Sequence, residues 1–215
     1  MTGPVPEHLV PSRGRVSERD LWSRPQSWDD FPPLELVRAT DGSPAAHPTQ
    51  ARLVWDPAAL HLQVRCRDRD IWSTHLLRDA PLWEEEVVEW FVAAGAETPS
   101  AYAELEWNPL GTLFDAWVDN PDGDRRTMHV DRGWSAAGLR WTVRVDRAAA
   151  LWTVQVRLPW AAIGLNGPGT LRTNVYRIER PVSGAAEFQA WSPTLASPAD
   201  FHLPARFGKA IPSGT

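Results

Sequence analysis

The sequence predicts an all-β protein, an antiparallel β-sandwich of jelly-roll type with one short helical turn and an irregular N-terminal arm. Three observations predict this fold class. Short stretches alternate between apolar and polar residues, as strands with two different faces do. Turn sequences such as Asp56-Pro57 and Asn120-Pro121-Asp122-Gly123 separate these stretches. No helical pattern of useful length lies between consecutive strands, so a parallel α/β sheet is not expected.

The first 48 residues form the predicted arm. Prolines stand at positions 4, 6, 11, 25, 32, 33, 44 and 48, a density that excludes a long helix and interrupts any strand ladder. We expect this segment to wrap around the body of the protein in a mostly irregular conformation. Trp22 and Trp28 are expected to pin it there by packing.

About ten strands follow from Thr49 onward. The stretch 60–67 alternates cleanly, and the turn Asp56-Pro57 joins it to 50–56 in a predicted hairpin. Pro159 and Gly164 are suited to the beginning and the end of one helical turn. The other predicted strands are 87–93, 102–107, 112–119, 139–146, 151–159, 171–180, 187–191 and 206–212.

Length and composition limit the possible classes of protein. A chain of 215 residues without an internal repeat or a linker is expected to form one domain, residues 1–215, with the arm packed on it. The net charge is -5 and no Lys or Arg run occurs, which argues against a nucleic-acid partner. Thirteen tryptophans are too many to display on a surface, so most are expected in the core.

The sequence contains no stretch that is typical of membrane insertion or standard export. No window is apolar enough for a membrane helix, and the first residues lack the apolar region of a signal peptide. We therefore expect a cytoplasmic location, unless another export route operates. Cys66 is expected to be a small buried hydrophobe, and the scattered histidines predict no zinc site.

The stretch 81–91, PLWEEEVVEWF, carries the strongest functional signal. Trp83 precedes the strand, where side chains are usually solvated, and Glu89 lies on one face of the strand itself. A large aromatic side chain beside acidic hydrogen-bond acceptors suggests a flat, polar ligand such as a sugar. The run Glu84 to Glu86 is interpreted as solvated surface charge.

Three further residues could belong to a binding site or to the scaffold. Asn108 precedes a proline and is first of all a turn former, but with Glu106 it could reach the hydroxyls of a ligand. Arg177 needs a carboxylate partner if it points inward, and Glu89 or Glu106 could be that partner. Trp191 stands where a strand ends, so its indole could be core or a platform for a ligand.

Catalytic motifs are absent from the sequence. It contains no GxSxG, no HExxH and no glycine-rich phosphate loop. The one catalytic alternative is a glycoside hydrolase, in which two carboxylates act as acid and nucleophile across a cleft. The carboxylates available for that role are Glu84, Glu85, Glu86, Glu89, Glu104 and Glu106.

The order of these motifs resembles the family 9 carbohydrate-binding modules and their stand-alone relatives. The resemblance extends from about Trp28 to Pro212. It rests on WDPAALHLQVRCRD, LWEEEVVEWF, AELEWNPLGTLFD, LWTVQVRLPWAAIG, NVYRIERP, QAWSP and the closing ARFG.

The resemblance implies a non-catalytic β-sandwich that binds oligo- or polysaccharide. It implies that two tryptophans, in the segments matching Trp83 and Trp191, hold a sugar ring between them, and that Glu89 corresponds to an acidic residue in the strand after the first tryptophan. Glu106 stands where the characterised modules have a basic contact residue, so their specificity for reducing ends of glucans and xylans does not carry over.

The family also holds structural calcium. The acidic loops around Asp68, Asp70 and Asp119 to Asp124 permit such an ion, although no metal is required by the residues themselves. A domain that has lost sugar binding and meets a protein through its tryptophans is the remaining alternative. The sequence leaves the oligomeric state and the identity of the saccharide open.

Overall fold

The structure is a computed structural model, and it describes residues 3–214. Two β-sheets form its body. The strands are β1 (Glu7–Pro11), β2 (Leu34–Glu35), β3 (Val37–Arg38), β4 (Thr49–Asp56), β5 (Ala59–Arg67), β6 (Val87–Ala94), β7 (Ala101–Trp107), β8 (Leu113–Asp119), β9 (His129–Asp131), β10 (Arg140–Asp146), β11 (Leu151–Pro159), β12 (Leu171–Glu179), β13 (Glu187–Ala190) and β14 (Gly208–Ser213).

The two sheets differ in size and together form a sandwich. The nine-stranded sheet has the order β1-β14-β12-β6-β7-β8-β9, with β13 joined to β12 and β3 joined to β13. The five-stranded sheet has the order β10-β11-β5-β4-β2. All pairings between these strands are antiparallel except that of β1 with β14. The predicted all-β sandwich is confirmed, and so is the hairpin of β4 with β5.

The interior of the sandwich is one apolar cluster with contributions from both sheets. Leu62 and Trp152 face inward from the small sheet, and Trp90, Leu105 and Val175 face inward from the large one. These positions alternate with residues that point out of the sandwich, because successive side chains of a strand point to opposite faces. The periodicity of the sequence therefore decides which residues form the core.

The outer face of the nine-stranded sheet is also largely covered. Phe91, Tyr102 and Tyr176 form a second apolar cluster there, and the segment between β13 and β14 lies over it. Phe201 of that segment stacks on Tyr176 with ring centroids 4.2 Å apart, and the Tyr176 hydroxyl donates to the Phe201 carbonyl. The large sheet is thus buried on both faces, and a pocket can form only where this covering is incomplete.

The arm is more regular than the sequence predicts. Besides β1 to β3 it contains helix α1 (Glu18–Ser23), whose N-cap Ser17 accepts a hydrogen bond from the Asp20 amide. Trp28 is buried in one apolar cluster with Val54 of β4, which confirms that this indole pins the arm to the body. The short elements escaped prediction because two to six residues carry too little periodicity.

The predicted helical turn is present as a 3-10 helix over Trp160–Ile163. It ends at Gly164, which has a φ of 78° and so occupies the left-handed region that favours glycine. Further 3-10 turns lie at Pro25–Trp28, Leu82–Glu84 and Pro204–Arg206. In the part of the chain that the structure describes, no helix has the length and apolarity needed to cross a membrane.

Candidate functional site

A pocket of about 310 Å³ opens on the outer face of the nine-stranded sheet. Its floor comes from β6 and β7, and its walls come from the segments before β6, after β8 and around β13. We call it the outer-face pocket. Its lining residues are Trp83, Glu89, Glu104, Glu106, Phe114, Arg125, Met128, Val130, Arg132, Ile178, Arg180, Phe188, Ala199, Phe201 and His202.

Three buried carboxyl groups form the floor. Glu89 of β6 is directly opposite Glu106 of β7, and Glu104 stands two residues from Glu106 on the same face. One oxygen from each of the three lies within 4.8 Å of the others. The alternation of EVVEWF and AELEW places the glutamates outward and Trp90, Leu105 and Trp107 inward. We call these three residues the glutamate triad.

The triad cannot carry three full negative charges in this position. Burial, reinforced by the neighbouring Glu104, raises the pKa of Glu89 well above its ordinary value. Burial likewise raises the pKa of Glu106, again with carboxylate neighbours, and it raises the pKa of Glu104 to about 7. Carboxyl groups this close share protons unless a cation balances them. The floor can therefore both donate and accept hydrogen bonds.

His202 borders the triad without neutralising it. Its Nε2 lies 3.8 Å from a Glu104 oxygen, and its Nδ1 lies 2.9 Å from the Tyr102 hydroxyl. Burial lowers the pKa of His202 to about 3, so the ring is neutral at physiological pH. The imidazole is consequently a hydrogen-bonding group of the wall.

Aromatic side chains form one wall of the pocket. Trp83 is half-buried and meets Phe114 edge to face, with ring centroids 5.4 Å apart. The Arg132 guanidinium lies 5.7 Å from the centroids of both rings, within the range of a cation–π contact. Phe188 and Phe201 line the pocket as well.

Arginines complete the lining. Arg125 lies 3.6 Å from Asp200, and the Arg180 side chain donates to the Trp83 carbonyl. With Arg132 they offer planar donors above a floor of acceptors. The pocket thus combines an indole, carboxyl groups and guanidinium groups, which together suit a small polyhydroxylated ring.

Trp83, Glu89 and Glu106 are the predicted site residues that the structure brings together. Trp191 is not beside them, which corrects the expectation that the two indoles face each other across one pocket. Trp191 follows Ala190, whose side chain belongs to the outer face, so strand alternation turns the indole into the sandwich interior. There it packs over Gly208 and against His8.

Arg177 also lies in the sandwich interior and does not line the outer-face pocket. Its guanidinium is fully buried, 3.1 Å from Asp68 and 3.2 Å from Glu86, and it donates to the Arg67 carbonyl. An inward Arg with carboxylate partners was expected, but the partners differ from Glu89 and Glu106. The structural alternative, a buried ion pair, describes this residue.

The polar side-chain atoms of Asn108 all form hydrogen bonds within the scaffold. Its side-chain amide donates to the Ser73 hydroxyl and the His75 carbonyl, and its oxygen accepts from the amides of Leu110 and Thr112. It is fully buried and lies outside the lining of the pocket. The turn-forming interpretation accounts for the side-chain oxygen, and the segment 73–75 accounts for the side-chain nitrogen.

The interpretation of Glu84 to Glu86 as surface charge is wrong for two of the three. Glu84 is exposed, but Glu85 and Glu86 are buried. Glu85 accepts hydrogen bonds from the Ser73 hydroxyl and from the amide and hydroxyl of Thr74. Burial opposes its ionisation, yet these hydrogen bonds prevail and lower the pKa of Glu85 to about 2.

Several lining residues were not predicted as binding residues. Glu104 was considered only as a catalytic carboxylate, although its alternation with Leu105 puts it on the face of Glu106. Phe188 shares a face with Ala190 and could have been found in the same way. Phe201 and His202 lie in a segment without regular structure, where no periodicity signals a direction.

Three aspartates of the acidic loops, where the family resemblance implies structural calcium, already have protein partners. Asp68 is paired with Arg177, Asp70 accepts from the Val182 amide, and Asp124 binds Arg126. Within residues 3–214 the glutamate triad is the group of three or more acidic, His or Cys side chains with metal-ligand spacing, and these loops form none. Calcium at the loops stays a prediction.

Comparison with known proteins gives a family and a fold. The model of a family described as carbohydrate-binding family 9 matches residues 41–211. A protein named "Extracellular protein" from Arthroderma benhamiae is 26% identical over 176 residues, which are 76% of this chain and 78% of that protein.

Two solved structures share the fold. A candidate carbohydrate-binding protein from Bacteroides uniformis superposes with a TM-score of 0.68 at 18% identity and covers 96% of both chains. A family 9 carbohydrate-binding module from Caldicellulosiruptor kristjanssonii, solved in complex with cellotriose, superposes with a TM-score of 0.62 at 12% identity. That match covers 97% of this chain and 94% of the module.

Proposed function

Because the chain belongs to carbohydrate-binding family 9, we propose that it is a non-catalytic module that binds a saccharide in the outer-face pocket. The observation that supports this most directly is the half-buried indole of Trp83 beside a floor of three carboxyl groups. A pyranose requires an apolar surface for its face and hydrogen-bonding groups around its edge.

The chemistry of a sugar matches the two parts of the pocket. The C–H faces of a pyranose are apolar and pack on an indole, while its equatorial hydroxyls need partners in the plane of the ring. Trp83 supplies the apolar surface, with Phe188 and Phe201 in place of the second tryptophan that the family resemblance implies. The glutamate triad and Arg132 supply the hydrogen bonds.

The proposed ligand is an oligo- or polysaccharide, bound through one ring or a short segment. The pocket is small and open to solvent, so we expect a dissociation constant no tighter than about 1 µM, which corresponds to about −8 kcal/mol. The cellotriose complex of the Caldicellulosiruptor kristjanssonii module makes β-linked glucose oligomers the first ligands to test. The name of the Arthroderma benhamiae relative supports a proposed extracellular location.

Binding is tested with a glycan array and with quenching of tryptophan fluorescence. We expect Trp83→Ala to lose at least about tenfold in affinity, because about 1.4 kcal/mol of indole contact corresponds to that factor. Trp22→Ala is the matched control, since Trp22 is a half-buried tryptophan that lies outside the pocket. Equal binding by Trp83→Ala and the parent would refute the site.

One observation favours a second candidate function, glycoside hydrolysis. The oxygens of the triad lie within 4.8 Å, close to the separation of about 5–5.5 Å between the carboxyl groups of retaining glycosidases. Aryl glycosides and oligosaccharides should be incubated with the protein and with Glu106→Gln. Turnover that disappears in the variant would replace the binding-only proposal, whereas binding without turnover supports it.

A further inference from the structure

We propose that the glutamate triad binds a divalent, oxygen-preferring cation of the calcium type at the floor of the outer-face pocket. This site is separate from the acidic loops in which the family resemblance implies structural calcium. Its further consequence, that the cation contacts the sugar, rests on the proposed function. The cation site itself does not.

The spacing of the triad suits such an ion. Calcium binds oxygen at about 2.3–2.6 Å, so two oxygens on opposite sides of one ion are at most about 5.2 Å apart. The three carboxyl groups offer oxygens that all lie within 4.8 Å of one another. The donor set is entirely carboxylate, which favours Ca²⁺, Mg²⁺ or Mn²⁺ over metals that select His or Cys.

Glu106 is the observation that points to a missing partner. Only 1% of the residue is exposed, it lines the pocket, and both of its carboxyl oxygens are buried without a hydrogen-bond donor. A buried carboxylate without a donor or a cation is costly, so Glu106 either shares a proton with Glu104 or binds a cation. Outside the triad, the buried carboxylates described above have a donor or a cation beside them, as Glu85 has Ser73 and Thr74 and as Asp68 and Glu86 have Arg177.

No surrounding cationic side chain among the described residues forms an ion pair with the triad, and Arg125 and Arg132 act on it only at longer range. Within the described residues, neither an Arg nor a Lys lies within 4.0 Å of a triad oxygen, and the neighbouring His202 is 3.8 Å from Glu104. Arg125 and Arg132 line the walls, where Arg125 is near Asp200 and Arg132 lies over Trp83. The floor is left as a concentration of carboxyl groups that a small cation would balance.

A cation in this position would remain accessible from the pocket. Three carboxylates that each give one oxygen fill three of the six to eight positions of calcium. The remaining coordination positions face the pocket, where water or two neighbouring hydroxyls of a sugar can occupy them. The cation would thereby select saccharides with a free pair of vicinal hydroxyls.

Terbium luminescence tests the cation site on the full chain without any sugar. Tb³⁺ resembles Ca²⁺ in size and ligand preference, and Trp83 in the same pocket can sensitise its emission. We expect saturable emission that Ca²⁺ displaces, and a loss of at least about tenfold in affinity for Glu106→Gln. Asp124→Asn, which alters an exposed acidic loop, should bind Tb³⁺ like the parent.

Calorimetry with Ca²⁺ and a thermal melt accompany each variant. Glu104→Gln is the second variant, so the test does not depend on the folding of one protein. Absence of saturable Tb³⁺ or Ca²⁺ binding in the folded parent, or unchanged binding in both folded triad variants, would overturn the proposal. Binding that disappears in Asp124→Asn would also overturn it, because the cation would then lie at the loop.

The two proposals fail separately. Saccharide binding is measured in Ca²⁺ and in a chelator. Cation binding without any saccharide binding supports the cation site and contradicts the proposed function. Equal saccharide binding in the chelator, together with no Tb³⁺ signal, supports the proposed function and overturns the cation site. Chelator-resistant binding that is confined to sugars with a free ammonium group would likewise support the proposed function and overturn the cation site.

Discussion

The three consecutive glutamates before β6 have three different environments. Glu84 is in solvent, Glu85 accepts from the Ser73 hydroxyl and from the amide and hydroxyl of Thr74, and Glu86 is next to Arg177. A run of like charges predicts a solvated surface, but a run of three in extended or turning backbone must point in several directions. The residues that hold Glu85 and Glu86 in buried positions are distant in sequence, so no local pattern reveals them.

At Glu85 this environment predicts a dependence of stability on pH. Its pKa is about 2 in the folded protein, below the ordinary value of 4.5, so ionised Glu85 stabilises the fold above about pH 4.5. That contribution disappears as the pH falls through about 2. We expect urea unfolding to show a steeper loss of stability between pH 4.5 and 2.5 in the parent than in Glu85→Gln.

At neutral pH the same variant should be less stable by about 2 kcal/mol, because hydrogen bonds to a charged group are lost. Glu84→Gln is the matched control and should behave like the parent, since Glu84 is exposed. Equal pH profiles for the parent and Glu85→Gln would contradict the assigned role of Glu85.

At the scale of the element, alternation predicted most of the fold, and three of the six predicted site residues line the outer-face pocket. The strands from β4 onward were predicted at nearly their observed positions, apart from the three-residue β9. Glu106 lies on the outer face because β7 alternates clearly, and the register of β6 with β7 places Glu89 opposite it. Trp83 reaches the same pocket from the turn before β6. Trp191 directly follows β13, where Phe188 and Ala190 lie on the outer face, and the strand is too short for the sequence to show which of its faces meets the sandwich interior.

The contact of Trp191 with β14 gives a prediction at this scale. A Cβ on Gly208 would lie 2.6 Å from the Trp191 Cη2 atom and 3.1 Å from the Pro6 carbonyl oxygen. We expect Gly208→Ala to destabilise the protein by about 1–3 kcal/mol, since the packed interior must shift to admit a methyl group. Thermal and urea unfolding measure the effect.

Trp191→Leu should relieve part of the clash in a double variant with Gly208→Ala. Gly167→Ala is the control, because a Cβ there meets nothing within 4 Å. If Gly208→Ala were as stable as the parent, Trp191 could not be packed over β14 as described.

At the scale of the molecule, Arg177 ties the two sheets together. It lies on β12 of the large sheet, and its guanidinium donates to the Thr49 hydroxyl on β4 and to the Arg67 carbonyl on β5 of the small sheet. Asp68 and Glu86 balance its charge. An ionic group in the middle of a sandwich is unusual. The sequence shows only that Arg177 alternates with apolar residues.

Arg177→Met should therefore destabilise the whole sandwich. Removing one partner of a buried ion pair leaves uncompensated carboxylates, at a cost of about 3–5 kcal/mol in the free energy of unfolding. Arg126→Met is the control, because Arg126 is 88% exposed in its pair with Asp124 and such pairs contribute at most about 1 kcal/mol. Urea unfolding that shows the same midpoint for both variants would contradict this role.

Because the large sheet is covered on both faces, the carboxyl groups that line the outer-face pocket and the core residues alternate along the same strands. Glu89 is followed by Trp90, and Leu105 separates Glu104 from Glu106. An inserted or deleted residue in β6 or β7 would exchange the two sets and place carboxyl groups in the core. The lining of the pocket can therefore be altered by substitution within these strands or by changes in the covering segments, but not by a change in strand length.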